Sequence, residues 1–164
     1  MVATADGPAS EYAVKTAMVY KITKFVSWPE SAFDPEDAPL KICVAKGGSF
    51  ARHMKSLEGR KVGSHPIEIV TFKEAGAVSQ QCQVLVISRK ESKQAEQLLL
   101  AVDARPVLTI GDSDGFAEQG WIIGLEIRQS HVSFAINVDA SHDVGMDINT
   151  QLLQLAKIIE KGGV

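Results

Sequence analysis

The sequence predicts an α/β fold: a three-layer α/β/α sandwich with a mainly parallel sheet and an antiparallel C-terminal hairpin at one edge. Short apolar runs rich in Val, Leu and Ile, typical of buried strands, alternate with segments whose apolar residues recur at helical spacing. This alternation indicates crossover connections and a parallel sheet covered on both faces. Near the C-terminus, two runs instead alternate apolar and polar residues, as the strands of a hairpin do.

Length and composition indicate one globular domain. The chain has 164 residues, of which 45% are hydrophobic and 23% charged, and we expect residues 1–9 to be a disordered N-terminal remnant and residues 10–161 to form the domain. A net charge of -3 without a basic stripe argues against a nucleic-acid surface. No apolar run approaches the ~20 residues that span a bilayer. The first ten residues lack the apolar stretch of a signal peptide, and we expect that a leader has been removed.

The first helix is predicted to begin after an N-cap at Ser10 and to end before Pro29, because a residue that precedes proline is disfavoured in a helix. Its apolar stripe consists of Val14, Met18, Ile22 and Phe25. Three lysines beside the stripe are interpreted as a solvated face: Lys15, Lys21 and Lys24.

Strands and helices then alternate. Strands are predicted at residues 40–45, 67–72 and 82–88, and helices at 50–57, 73–79 (a weak pattern) and 91–102. The turn Gly47-Gly48 before the first of these helices could hold an anion but matches no phosphate-binding motif, so Ser49 is interpreted as a simple N-cap.

The stretch from residue 105 to residue 137 contains the clearest structural pattern of the chain. It contains a buried strand, Val107 to Ile110, a polar loop GDSDG, and then the two alternating runs. If Gln129-Ser130 is a two-residue turn, every apolar residue of one run faces an apolar residue of the other. The pairs are Ile127 with Val132, Leu125 with Phe134, and Ile123 with Ile136.

An amphipathic closing helix is predicted at the C-terminus, with Asn149 or Thr150 as its cap and Gly162-Gly163 as its end. The residues that define it are Ile148, Leu152, Leu155, Ala156 and Ile159.

Known catalytic and metal-binding patterns are not matched. Gly111-Asp112-Ser113 is similar to the GDS of some serine hydrolases, but neither nearby histidine, His131 or His142, has a partner that would orient it as a base. The loop is therefore interpreted as turn geometry. Two carboxylates at Asp112 and Asp114 make a poor cation site, and His53 and His65 have no partners at metal-ligand spacing. We expect no catalytic residues, no metal and no cofactor.

The two cysteines leave two interpretations open. Cys43 lies in the first predicted strand and Cys82 at the start of the third, and these strands are often neighbours in doubly wound sheets. The pair could therefore form a bridge, or the two could be buried reduced thiols.

Several segments resemble the YfiR-like family of small periplasmic regulatory proteins. In chain order they are EYAVKTAMVYKITKFVSWPE, LKICVAK, RPVLTIGDSDGFAEQGWIIGLEI, VSFAINVDA and INTQLLQLAK, and they run from about residue 11 to residue 157. Cys43 and Cys82 fall where that family has its disulfide, so the resemblance implies a bridge between them and a periplasmic location.

The resemblance also implies a function. YfiR-like proteins are dimeric α/β/α domains, and the protein that gives the family its name binds the periplasmic sensor domain of an inner-membrane diguanylate cyclase and holds the enzyme inactive. Envelope stress or reduction relieves this block, and cyclic-di-GMP then promotes biofilm growth. We therefore expect a homodimer and, as partner, the periplasmic domain of a membrane diguanylate cyclase or sensor kinase. Trp28 and Trp121 are candidate partner-binding residues, with a role as core anchors as the alternative.

Two departures from the family pattern bear on this function. Ala135 stands where the family often has Glu, and the second cysteine pair that some members carry around the GFAEQG loop is absent. A second hypothesis is a sensor of a nucleotide or aromatic metabolite, whose cleft by analogy would lie near Ala135, Asp147 and Asn149. A third is a hydrolase that uses Ser113, which we disfavour.

Overall fold

The computed structural model describes residues 8–33, 35–74, 78, 82–112, 115–128 and 131–160. Its helices are α1 (Pro8–Thr23), α2 (Ser49–Met54), α3 (Ala95–Ala101), α4 (Val138–Asp143) and α5 (Thr150–Leu153). Its first five strands are β1 (Val26–Ser27), β2 (Leu40–Ala45), β3 (Lys61–Val62), β4 (His65–Phe72) and β5 (Val84–Ser88). The others are β6 (Leu108–Asp112), β7 (Ile123–Arg128), β8 (His131–Asn137), β9 (Asp147–Ile148) and β10 (Lys157–Ile159).

The main sheet has eight strands in the order β10-β8-β7-β6-β5-β2-β4-β3. Strands β2, β4, β5 and β6 are mutually parallel, β7 continues parallel to β6, and β8 turns back antiparallel to β7. The central order β4-β2-β5-β6-β7 is that of the flavodoxin-like doubly wound fold. A separate two-stranded sheet joins β1 to β9.

Two apolar clusters cover the two faces of the sheet, and they confirm the α/β sandwich. In β2, Ile42 and Val44 contribute to one cluster and Cys43 to the other, because successive side chains point to opposite faces. The larger cluster contains α1 and α2, whereas the smaller contains α3, the disulfide and Trp121.

The predicted hairpin is confirmed in register. Ile127 pairs with Val132, Leu125 with Phe134, and Ile123 with Ile136. The Gln129-Ser130 turn lies outside the described residues, as do Ser113, Asp114 and most of the weak helix predicted at 73–79. Residues 1–7 are also outside them, and α1 begins at Pro8.

The predicted closing helix is wrong. Its first part is the short helix α5, capped by Asn149, whose Oδ1 accepts a hydrogen bond of 2.8 Å from the Gln151 amide. Its last part is strand β10, which lies parallel to β8 with Ile158 opposite Ile136. Two consecutive β-branched residues favour a strand, and pairing with β8 satisfies backbone groups that a helix would otherwise satisfy internally.

Three local predictions need smaller corrections. The first helix ends at Thr23, before the strand β1, rather than continuing to Trp28. The helix predicted at 91–102 begins as a 3-10 helix, Arg89–Gln94, before α3. Gly48, not Ser49, is the N-cap of α2, and it provides no side-chain hydrogen bond.

Candidate functional site

Cys43 and Cys82 form a disulfide between neighbouring strands. Cys43 lies in β2 and Cys82 two residues before β5, and the two Cα atoms are 6.2 Å apart. Both side chains are buried in the smaller apolar cluster, which also contains α3; Cys43 is 1% exposed and Cys82 is 3% exposed. The bridge implied by the resemblance is confirmed, and the alternative of two reduced thiols is excluded.

A charge cluster, consisting of Glu11, Tyr12, Lys15, Arg89 and Asp112, lies where β5 and β6 end, with Lys15 and Asp112 buried and Arg89 exposed. Lys15 is 2% exposed, and its ammonium group contacts the Asp112 carboxylate, which is fully buried, and Glu11 Oε2 at 2.5 Å. Tyr12 donates its hydroxyl hydrogen to Asp112 Oδ2 at 2.6 Å, and Arg89 donates to Glu11 Oε2 at 3.0 Å. The cluster therefore fastens the first turns of α1 to the carboxyl end of the sheet.

The electrostatics of this cluster favour a protonated Tyr12. Burial raises the pKa of Tyr12 to about 12, and the hydrogen bond to the Asp112 carboxylate and the negative charge of that group act in the same direction. The pKa of Arg89 is also raised, chiefly by its contact with the Tyr12 hydroxyl. Both carboxylate oxygens of Asp112 are thus engaged, Oδ1 by Lys15 and Oδ2 by Tyr12.

The interpretation of Lys15 as a solvated residue is wrong, and the sequence contained a signal that could have located it. Tyr12, Val19 and Ile22 are all buried, and Lys15 lies at helical spacing within the stripe that they define. A lysine inside an apolar stripe, four residues after a glutamate, is placed to bury its stem with its charge paired. Lys24, by contrast, is exposed, with Nζ 4.3 Å from the Tyr20 ring centroid.

A cavity of about 620 Å³, here called the aromatic cavity, lies where β2 and β4 begin. Its wall includes Trp28, Phe33 and His65, together with Lys24 and Glu30. The Phe33 and His65 rings are stacked with centroids 3.7 Å apart, and the His65 Nδ1 lies 2.7 Å from the Ala38 carbonyl oxygen. Trp28 is fixed by a 3.1 Å hydrogen bond from its Nε1 to the Gln83 carbonyl.

The predicted ligand residues are not all placed to touch a ligand. Ala135 is 1% exposed between Gly124 and Lys157 in the sheet, so its side chain offers almost no surface to a ligand, and its role in binding stays a prediction. Asp147 is exposed and pairs with Ser27, a residue of the aromatic cavity wall. Asn149 is exposed, and its backbone N–H donates a hydrogen bond of 2.8 Å to the Phe25 carbonyl oxygen.

Of the two predicted partner-binding tryptophans, Trp121 is a core residue. It is fully buried and packs against Phe116 with ring centroids 5.3 Å apart, so it cannot contact a partner in this conformation. The alternative role as a core anchor is therefore the correct one. Trp28 is half-buried and remains a candidate.

The described residues contain no arrangement typical of a metal site, since no group of three or more His, Cys, Asp or Glu side chains converges among them. Asp112 could not serve as a free cation ligand because Lys15 and Tyr12 hold both of its oxygens. His131 is exposed at the start of β8, and Ser113 lies outside the described residues. Within the described part of the chain, no helix is both long and apolar enough to cross a bilayer.

Sequence comparison gives the family. The YfiR/HmsC-like family matches residues 12–157, which is most of the chain. This chain belongs to the YfiR/HmsC-like family. Its members are regulatory proteins rather than enzymes, and the family points to periplasmic regulation of diguanylate cyclases. The disulfide is consistent with that location.

Two solved structures share the fold. A conserved domain protein from Vibrio cholerae O1 biovar El Tor matches with a TM-score of 0.60 and 13% identity, covering 92% of this chain and 60% of the other. An ABC domain in complex with L-Trp from Streptococcus pneumoniae matches with a TM-score of 0.54 and 9% identity, covering 79% and 58%. This chain thus spans about 60% of the length of the structures that it matches. At these identities the likeness concerns the fold.

Proposed function

We propose that this chain is a periplasmic regulatory protein that represses an inner-membrane diguanylate cyclase by binding the sensor domain of that enzyme, thereby lowering cyclic-di-GMP and biofilm formation. The observation that carries the proposal is the family match over residues 12–157. A buried disulfide supports an oxidising compartment. We further propose that the protein acts as a homodimer, as its family resemblance implies.

An apolar surface at the β10 edge of the sheet supports a protein-binding role. Among the described residues, only Leu100, Leu155 and Ile158 are large hydrophobic residues that are exposed, and the last two lie together before and within β10. Leu155 also borders an apolar groove of about 260 Å³ between α1, β8 and α5. Ile158 pairs with Ile136, a residue of the larger apolar cluster, which includes the groove residue Phe134. The Ile158 side chain therefore points to the face of the sheet that carries this groove.

The experiment is capture of the periplasmic domain of a membrane diguanylate cyclase by the purified, oxidised chain. We expect Leu155→Glu to lower the captured amount at least tenfold, because a charge would be buried at the interface. Leu100→Glu is the matched control, since Leu100 is 70% exposed on α3, which covers the other face of the sheet. If the wild-type chain captures no such domain, repression by direct binding is contradicted. Equal capture by both variants would remove the β10 edge from the interface.

A second candidate function is a sensor of a nucleotide or aromatic metabolite that acts on another membrane receptor. The observation that favours it is the aromatic cavity, because Trp28 and the stacked rings of Phe33 and His65 line it, and aromatic side chains are typical of sites for planar ligands. Thermal-shift screening with nucleotides and aromatic amino acids would test it. A ligand that raises the melting temperature of the wild type and not that of Trp28→Ala supports the sensor, and a screen without any shift contradicts it.

A further inference from the structure

A second cavity lies beside the disulfide at the amino ends of β2, β5 and β6. Its volume is about 340 Å³, close to the lower end of the range for small-molecule pockets. We call it the Arg105 cavity. Its wall includes Pro35, Pro39, Lys41, Cys82, Gln83 and Arg105. None of the described residues of this wall is Asp or Glu, so its charged side chains are both cations.

Arg105 carries an unused donor in this region. Its Nη2 donates to the Ala101 carbonyl oxygen at 2.9 Å, which holds the guanidinium group against the end of α3. Its Nη1 is buried and has no hydrogen-bond partner among the described residues. Arg105 also borders a cavity of about 180 Å³ whose wall includes Asp103 and Asp143, yet no ion pair joins it to either residue in the described structure. Arg105 as a residue is partly exposed, but a buried donor atom without an acceptor is costly and calls for a partner.

Another part of the wall is held by a buried amide, the side chain of Gln83. Gln83 is 6% exposed, and its Nε2 donates to the Ala32 carbonyl at 2.9 Å while its Oε1 accepts from the Lys41 amide at 2.7 Å. These two bonds tie the 30–39 segment to the first residues of β2, and the disulfide fixes Cys82 in the same wall. Because the cavity is preformed, little ordering would oppose binding.

We propose that the Arg105 cavity binds a small oxyanion, the carboxylate or phosphate group of a small molecule, with Arg105 as the principal ligand. A guanidinium group donates to planar or tetrahedral oxyanions more effectively than other side chains. The protein has a net charge of -3, so an anion must be held by local cations and not by the overall charge. The position of this cavity is distinct from that of the aromatic cavity and of the apolar groove at the β10 edge.

The test is a titration of the full chain with inorganic phosphate and, separately, with acetate, at ionic strength held constant with sodium chloride. We expect one of the two anions to raise the melting temperature in a saturable manner, by roughly 5 to 10 °C at a hundred times its Kd. The anion that acts identifies the source as phosphate or carboxylate. Arg105→Gln should weaken this binding at least tenfold. Arg105→Lys keeps the positive charge but loses the paired N–H donors of the guanidinium group, and it should weaken binding less.

Arg52→Gln is the control, because it makes the same change of charge at an exposed position on α2. A shift that is absent for both anions, or that is equal in Arg105→Gln and Arg52→Gln, overturns the proposal and leaves water as the partner of Nη1. NMR of the wild type gives a measurement that needs no variant. The bound anion should perturb the side-chain signals of Arg105 and Gln83, and perturbations confined to other regions would contradict the assignment.

Discussion

Lys15 occupies an environment that few lysines have. It is 2% exposed, and its charge is compensated by Asp112, which is fully buried, and by Glu11. A buried ion pair gains little over an apolar pair of the same shape, but the loss of one partner leaves the other charged and desolvated. The cluster is thus a point at which a single substitution should strongly affect the stability of the fold.

Lys15→Met should lower the free energy of unfolding by about 3 to 5 kcal/mol, because the Asp112 carboxylate would remain buried without its cation. Urea denaturation measures the change. The double variant Lys15→Met/Asp112→Leu should lose less than Lys15→Met alone, since neither charge then remains. Lys24→Met is the matched control in the same helix, and its exposed contact with Tyr20 predicts a loss below about 1 kcal/mol. Similar losses for both lysines would contradict the role of the buried pair.

Tyr12 predicts an alkaline limit to stability. The pKa of Tyr12 is about 12 in the folded chain, against an ordinary value of 10.0, so the folded state favours the protonated phenol. This contribution to stability is complete below pH 10 and is lost as the pH rises through about 12. Ultraviolet titration of tyrosinate should show a component near pH 12 that disappears in Tyr12→Phe. A Tyr12 component near pH 10 would show that the hydroxyl is not held by Asp112.

At the scale of elements, the disulfide joins β2 to the start of β5 across a sequence separation of 39 residues. A crosslink that closes a loop of this length should stabilise the fold by about 4 kcal/mol in the chain-entropy model. Cys43→Ala/Cys82→Ala should therefore lower the free energy of unfolding by about that amount, measured by urea denaturation. Reduction of the wild type should give a similar loss. A loss below about 1 kcal/mol in both experiments would mean that the bridge does not restrict the unfolded chain.

The hairpin and the closing segment show why some elements could be predicted and others could not. In β7 and β8, each apolar residue faces another, so local pattern and tertiary pairing agree. In β10 they conflict: the spacing of Leu152, Leu155 and Ile159 is helical, but the free edge of β8 recruits Lys157–Ile159 as a strand. That edge belongs to β8, which lies outside the C-terminal segment, and the residue spacing within the segment contains no information about it.

The same limit applies to the candidate sites. The disulfide could be inferred because the order of strands in doubly wound sheets is restricted and a family resemblance supplied the pairing. The cavities could not, since Trp28 and His65, or Lys41 and Arg105, meet only after the sheet has formed. For Trp121 the residue type was misleading. Tryptophan is enriched at interfaces, but Trp121, two residues before β7, is fully buried in the core.

For the molecule as a whole, the fold links its central elements to one another and presents distinct surfaces. The charge cluster and the disulfide fasten α1, β2, β5 and β6 to one another, while the β10 edge exposes Leu155 and Ile158. Such a fold suits regulation by contact with another protein, because little is lost in ordering the interface. Under the proposed function, that partner is the periplasmic domain of a membrane diguanylate cyclase.

The most direct test of the proposed repression is to measure the cellular level of cyclic-di-GMP in a strain from which the gene has been deleted. Repression by this chain predicts a rise in cyclic-di-GMP and in biofilm in that strain, because the cyclase is released. Expression of the wild-type chain with a periplasmic leader should restore both to their original levels, and Leu155→Glu should not. Unchanged cyclic-di-GMP in the deletion strain would contradict the proposed role.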